Sequence, residues 1–93
     1  MANQVIKKDG TKEPFDGEKI RKSIELSVKD AGLSAERIAE VVREASEAAL
    51  QIAAEKEEIA TTELAERILS KLDEIEPSAA VAWREHEQVK SRS

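Results

Sequence analysis

The hydrophobic positions of this 93-residue chain follow a helical period over most of its length. Ile20, Ile24 and Val28 recur every four residues and form one apolar stripe. Three further apolar stripes run over residues 38–52, 64–72 and 80–89. Each stripe is separated from the next by polar or helix-breaking residues, so the pattern predicts four helices.

Capping residues set the expected bounds of these helices. Asp16 and Ser34 are good N-caps for the first two helices, and Thr61 or Thr62 is expected to cap the third. Gly32 is expected to close the first helix, and Pro77 suits the first turn of the fourth. Residues 55–58 break the apolar period and are typical of a charged loop or a frayed end. The predicted helices therefore cover about residues 17–31, 35–54, 62–75 and 77–90.

The N-terminal segment has a different pattern, which predicts a β-hairpin over about residues 3–15. Val5 and Ile6 are β-formers, and Asp9-Gly10 is a dipeptide typical of tight hairpin turns. The chain then returns through Thr11 toward the Asp16 cap. One domain over residues 1–93, of the α+β class and mainly α, accounts for all of these elements.

Composition excludes several classes of protein. The chain has no cysteine, which excludes disulfides, thiol catalysis and a cysteine-based zinc site. No segment approaches the roughly 20 apolar residues that span a bilayer, and the first residues lack an apolar signal core. We therefore expect a cytoplasmic protein with no membrane partner.

Charge is distributed unevenly along the chain. The net charge is −5, but residues 1–22 hold six Lys/Arg against four Asp/Glu, which leaves the remainder at −7. Duplex DNA binding needs several phosphate contacts on one face, and an acidic helical body argues against it. The small basic end fits a small anionic ligand better than a nucleic acid.

Three lysines in this basic end are candidates for binding phosphate. Lys7 and Lys8 belong to the predicted hairpin, and Lys19 lies in the first turn of the following helix. A helix N-terminus beside converging lysines is a plausible phosphate site. The alternative is that these lysines only keep the hairpin soluble.

The same segment resembles the N-terminal motif of the ATP-cone family. The motif is Val5-Ile6-Lys7-Lys8-Asp9-Gly10, then Glu13-Pro14-Phe15-Asp16, then Lys19-Ile20, without a gap. Ile59-Ala60-Thr61-Thr62-Glu63-Leu64 and Ala80-Val81-Ala82-Trp83-Arg84 are similar to later family segments. The resemblance covers about residues 4–89 and implies that the hairpin caps one end of a four-helix bundle.

The resemblance also implies a ligand, ATP or dATP with Mg²⁺, and a set of residues that bind it. Lys7 and Lys8 would contact the phosphates from the strand, and Lys19 would reach them from the first helix. Position 8 is usually Arg in the family, so the ammonium group of Lys8 replaces a planar guanidinium group that could bind phosphate through two hydrogen bonds. The other implied contacts are Glu13 and Thr61 with the ribose or base, and Val5, Ile20 and Leu64, together with Phe15, with the adenine ring.

Structural alternatives exist for most of these residues. Glu13 is also a natural cross-strand partner for Lys7 or Lys8, and both roles are compatible. Thr61 is equally a helix cap, and the apolar residues are equally ordinary core. Trp83 either packs in the core or seals the base pocket, because the second aromatic that the family commonly has about four residues later is missing here.

The resemblance implies a non-catalytic regulatory domain, an allosteric sensor of the type attached to ribonucleotide reductases and to the repressor of their genes. The chain has no Gly-x-x-x-x-Gly-Lys-Ser/Thr loop and only one histidine, His86, so neither a catalytic nor a metal site is expected. Its partner would be a regulated protein, or a second copy through the helical face. The alternative is a degenerate cone that serves as a protein-interaction module without binding nucleotide.

Overall fold

The N-terminal strands belong to a three-stranded sheet of order β2-β1-β3, in a computed structural model that describes residues 2–92 and side chains as far as residue 87. The strands are β1 (Gln4–Ile6), β2 (Lys12–Pro14) and β3 (Glu58–Ala60). The predicted hairpin joins β1 to β2 in antiparallel register. The Lys7 N–H donates to the Thr11 carbonyl (2.8 Å), and Gly10 has a φ of 89°. Lys8, Asp9 and Gly10 therefore form a three-residue hairpin loop, and such loops commonly have a glycine in the left-handed conformation at this position.

The third strand was not predicted, because Glu58 was assigned to a charged loop. In the structure β3 lies parallel to β1, with Val5 opposite Ile59. A strand of three residues is too short to show an alternating pattern, and its partner lies at the far end of the chain. The Asn3 N–H also donates to the Glu57 carbonyl (2.7 Å), which extends this pairing by one step.

The four predicted helices are present. They are α1 (Gly17–Val28), α2 (Ala35–Ala54), α3 (Thr61–Ile75) and α4 (Pro77–Arg92). Asp16 caps α1 by accepting from the Glu18 and Lys19 N–H groups, and Ser34 caps α2 by accepting from the Arg37 N–H. Both of these caps match the sequence prediction.

Two predicted helix ends are wrong. Neither Thr61 nor Thr62 caps α3, because the N-cap is Ala60, which makes no side-chain cap bond. Ala60 pairs with Ile6 in the sheet, so the strand fixes the point at which the helix begins. The prediction that Gly32 closes α1 is also wrong. Helix α1 ends at Val28, and Gly32 has its φ of 80° in the loop that follows.

Consecutive helices are neighbours in the bundle, and α4 closes the ring by packing against α1. The largest fully buried side chains come from three of the helices and from β3: Ile24, Val28, Val41, Ile59 and Leu72. The sheet is therefore anchored in the same core as the helices. Within the described part of the chain, no helix is both long enough and apolar enough to cross a membrane.

Arg37 ties the start of α2 to the junction between α3 and α4. Its Nε donates to Glu76 Oε1 (2.8 Å), and its Nη2 donates to the Ile75 carbonyl (2.7 Å). The guanidinium group therefore satisfies a carbonyl at the end of α3, where the helix leaves such groups without an internal partner. This clamp fixes the turn from which α4 folds back onto α1.

Candidate functional site

A cleft of about 290 Å³ lies where the sheet meets α1, α3 and α4. Glu13 and Val5 form one wall, and they belong to a row across the three strands in which Val5 lies opposite both Glu13 and Ile59. Opposed residues project from the same face of a sheet. Ile59 is buried in the core, Val5 is half-buried on the cleft wall, and Glu13 lies at the outer edge. The row therefore leads from the core to the mouth of the cleft.

The first turns of α1 form the second wall. Asp16 holds the N-terminal N–H groups of the helix at 3.0 and 3.3 Å, so its carboxylate is already used as a cap. Ile20 and Ser23 face the cleft one helical turn apart. Lys19 lines the mouth with a side chain that is 76% exposed. The wall thus combines an apolar surface with an exposed cation at its rim.

The start of α3 and one face of α4 complete the cleft. Thr61, Leu64, Ala65 and Ile68 line it from α3 at helical spacing. The hydroxyl of Thr61 is not needed as a cap, because the cap position is Ala60. Opposite them, α4 contributes Trp83 and Glu87, and these residues are one turn apart. Trp83 is only 5% exposed, so it belongs to the core and to the cleft wall together.

The charges at the mouth are organised around Glu13. Its Oε1 lies 2.8 Å from Lys7 Nζ, and its Oε2 lies 3.9 Å from Lys19 Nζ. The hydrogen bond from Lys7 and the positive charges of both lysines lower the pKa of the Glu13 carboxyl. The same hydrogen bond raises the pKa of Lys7. Lys7 therefore carries a full charge at neutral pH, next to a carboxylate that is also charged.

The structure brings together six of the eight residues that the sequence identified as binding residues. The six that line the cleft are Val5, Glu13, Lys19, Ile20, Thr61 and Leu64. Lys7 reaches the cleft only through its ion pair with Glu13. Lys8 lies exposed in the hairpin loop and does not line the cleft. Phe15 does not line it either, and packs half-buried against the core.

Sequence reasoning did not assign the remaining lining residues to the site. These are Pro14, Asp16, Ser23, Ala65, Ile68 and Glu87. Trp83 also lines the cleft, and for this residue the sequence had left open whether it packs in the core or seals the base pocket. Ser23 and Ile68 could have been found from helical spacing, since they follow Ile20 and Leu64 by one turn. Glu87 gives no such signal, because its place in the cleft depends on how α4 packs against α1.

The described residues contain no group of three or more His, Asp or Glu side chains that could hold a metal ion. Two of the carboxylates that line the cleft already have partners within the protein. Asp16 accepts backbone N–H groups, and Glu13 accepts from Lys7. The arrangement suits a ligand with an apolar ring and an anionic tail, because the interior is apolar and the cations lie at the mouth.

Comparison with known proteins identifies relatives of this chain. Two curated relatives are transcriptional repressors called NrdR. The protein from Treponema denticola is 39% identical over 79 residues, which are 85% of this chain and 52% of that repressor. The protein from Chloroflexus aggregans is 30% identical over 79 residues, which are 85% of this chain and 44% of that repressor. The chain therefore spans about half the length of the curated relatives that it matches.

The family comparison covers nearly the whole chain. A family model described as ATP cone domain matches residues 3–89. This range includes all three strands, the cleft and the described side chains of α4. The match confirms the resemblance seen in the N-terminal motif, and the chain belongs to the ATP cone domain family.

Proposed function

We propose that this chain is a non-catalytic regulatory domain that binds an adenine nucleoside triphosphate, ATP or dATP, together with Mg²⁺ in the cleft. Membership of the ATP cone domain family and the similarity to transcriptional repressors both point to a regulatory protein. The observation that carries the proposal is the cleft itself, an apolar slot with Lys19 at its mouth and with Lys7 paired to Glu13 at the same end.

The size of the cleft suggests which parts of the nucleotide lie inside it and which extend to its mouth. A volume of about 290 Å³ is near the lower end of the roughly 300–1,000 Å³ typical of ligand pockets. The base and sugar would fill the apolar part, between Val5, Leu64 and Trp83. The triphosphate would then extend to the mouth, toward Lys19 and Lys7. From the hairpin loop, Lys8 would reach the phosphate that projects furthest.

Mg²⁺ would reduce the charge repulsion between the triphosphate and the carboxylates of the cleft. Three carboxylates, Glu13, Asp16 and Glu87, line the same cleft as Lys19. A bare triphosphate would meet unfavourable charge there, and Mg²⁺ bound to the phosphates reduces it. Mg²⁺ is commonly held by substrate phosphates and waters rather than by a dedicated protein cage.

The regulatory output would be a change in association. Allostery requires that two states of the protein bind the nucleotide with different affinity. In a domain of this size those states would differ in self-association, or in binding of a protein partner through the helical face. The NrdR relatives are repressors, so a longer protein that contains such a domain could use nucleotide binding to control its assembly.

The test is a titration of the purified chain with ATP, dATP, ADP and GTP, with and without Mg²⁺, followed by calorimetry and backbone amide NMR. We expect micromolar affinity for ATP or dATP, about −8 kcal/mol. Shifted amides should cluster at the hairpin and at the starts of α1 and α3. If millimolar ATP shifts neither the amides nor the melting temperature, the chain is instead an interaction module without a nucleotide.

A further inference from the structure

Glu13 divides its carboxylate between two lysines that come from different elements. Oε1 lies 2.8 Å from Lys7 Nζ, directly after β1, and Oε2 lies 3.9 Å from Lys19 Nζ in α1. Glu13 itself lies in β2, on the edge of the sheet. Two of the cations proposed to bind phosphate therefore converge on one anion that belongs to the chain.

These ion pairs are open to solvent. The side chains of Lys7, Glu13 and Lys19 are 47%, 41% and 76% exposed. Ion pairs between exposed side chains contribute little to stability, because water and salt screen them. A more highly charged anion can therefore compete with the carboxylate for the lysines without unfolding the sheet.

We infer that Glu13 is an internal counter-ion that occupies the phosphate subsite of the free protein, and that an anionic ligand must displace it from Lys7 and Lys19. This inference rests on the proposed function, because it concerns the phosphate end of the same cleft. The three side chains carry a combined charge of +1, and removal of the Glu13 charge leaves +2. Once displaced, the Glu13 carboxylate is free to accept from a hydroxyl or amino group of the ligand.

The test compares wild type with Glu13→Gln, which keeps the size of the side chain and removes its charge. The matched control is Glu58→Gln, since Glu58 lies in β3 of the same sheet and forms an equally exposed ion pair with Lys12 (2.7 Å, 39% exposed). The probe is inorganic tripolyphosphate, which carries the phosphate charge without base or sugar. Binding is measured by calorimetry at fixed ionic strength.

We expect Glu13→Gln to bind tripolyphosphate roughly tenfold more tightly than wild type, as expected when one unit charge near a polyanion is removed in water. Glu58→Gln should stay within about twofold of wild type, since its charge lies away from the cleft. The inference is overturned if Glu13→Gln binds tripolyphosphate no more tightly than wild type, or if neither protein binds it.

A second measurement uses only the wild-type protein, so it does not depend on how a variant folds. Saturating tripolyphosphate should raise the pKa of the Glu13 carboxyl, followed by its side-chain ¹³C signal, because the carboxyl loses its lysine partners and faces an anion. An unchanged pKa contradicts the inference. Failure of ATP to bind would instead remove the proposed function, while the tripolyphosphate comparison still decides the role of Glu13.

Discussion

Val5 pairs with Ile59 in parallel register, although two helices separate these residues along the chain. Ile59 is 1% exposed and packs in the helical core, whereas Val5 lines the cleft. The pair therefore connects the wall of the candidate site to the centre of the fold. Because β3 continues directly into α3, it also fixes the position of Thr61 beside the cleft.

Replacement of Ile59 by Ala should destabilise the domain by about 2–5 kcal/mol, because it leaves a cavity under the sheet. Urea unfolding measures this loss of stability, provided that the free energy of unfolding has the same dependence on urea concentration in both proteins. Val81→Ala is the control, since Val81 is 50% exposed and its truncation should cost less than about 0.5 kcal/mol. Equal losses in the two variants would show that β3 does not anchor the sheet in the core.

The lysines at the mouth should control the affinity for triphosphate. Lys7→Ala and Lys19→Ala should each weaken ATP binding roughly ten- to a hundredfold, as loss of a charge-assisted contact does. Both side chains are largely exposed, so the melting temperature should change little. Lys29→Ala is the control, because Lys29 follows the opposite end of α1. Similar losses in all three variants would indicate nonspecific electrostatic binding.

Trp83 provides an internal probe of the base-binding part of the cleft. It is the only tryptophan in the chain and lines the cleft from α4. An adenine ring that enters beside the indole changes its surroundings, so saturating ATP should shift or quench Trp83 fluorescence. Tripolyphosphate should have little effect, because it has no base. ATP that binds by calorimetry without a fluorescence change would place the base elsewhere.

Glu76 should make stability depend on pH through its bond to Arg37. That hydrogen bond lowers the pKa of the Glu76 carboxyl below its usual value of 4.5. A carboxyl whose pKa is lower in the folded state than in the unfolded state stabilises the fold. The contribution is fully present when the pH is above the unfolded-state pKa, and it is lost as the pH falls through the folded-state pKa. The melting temperature of Glu76→Gln should therefore be a few degrees lower than that of wild type at pH 7.

The difference between wild type and Glu76→Gln should shrink as the pH falls below about 4.5. Glu40→Gln is the matched control, because Glu40 contacts the same Arg37 from a position that is 59% exposed. Its melting temperature should stay close to that of wild type. Parallel pH profiles for Glu76→Gln and wild type would show that the Arg37 clamp does not set the acid stability.

The chain should not hydrolyse ATP. Phosphoryl transfer needs a positioned nucleophile, a cation on the leaving oxygen and a group that orients water. Of the three carboxylates that line the cleft, Asp16 is used as a helix cap and Glu13 accepts from Lys7, which leaves only Glu87. Incubation with ATP and Mg²⁺ should therefore release phosphate only at the uncatalysed rate. Release that disappears in Glu13→Gln would identify an enzyme.

The sequence by itself determined the elements whose signals are local. The caps at Asp16 and Ser34, the glycine turn at Gly10 and the apolar stripes each depend on residues a few positions apart. The N-terminal motif likewise lies within one short segment, so the family could be identified before the fold was known. These features need no knowledge of distant contacts.

Only the tertiary structure decided the features that join distant parts of the chain. Strand β3 forms because β1 supplies its hydrogen-bond partners, and this pairing makes Ala60 rather than a threonine the N-cap of α3. The packing of α4 brings Trp83 and Glu87 to the cleft, and the hairpin loop leaves Lys8 outside it. Glu13 meets Lys19 as well as its hairpin partner Lys7, because the sheet edge lies against the first turn of α1. These outcomes depend on how separate elements pack against one another, which a local pattern does not contain.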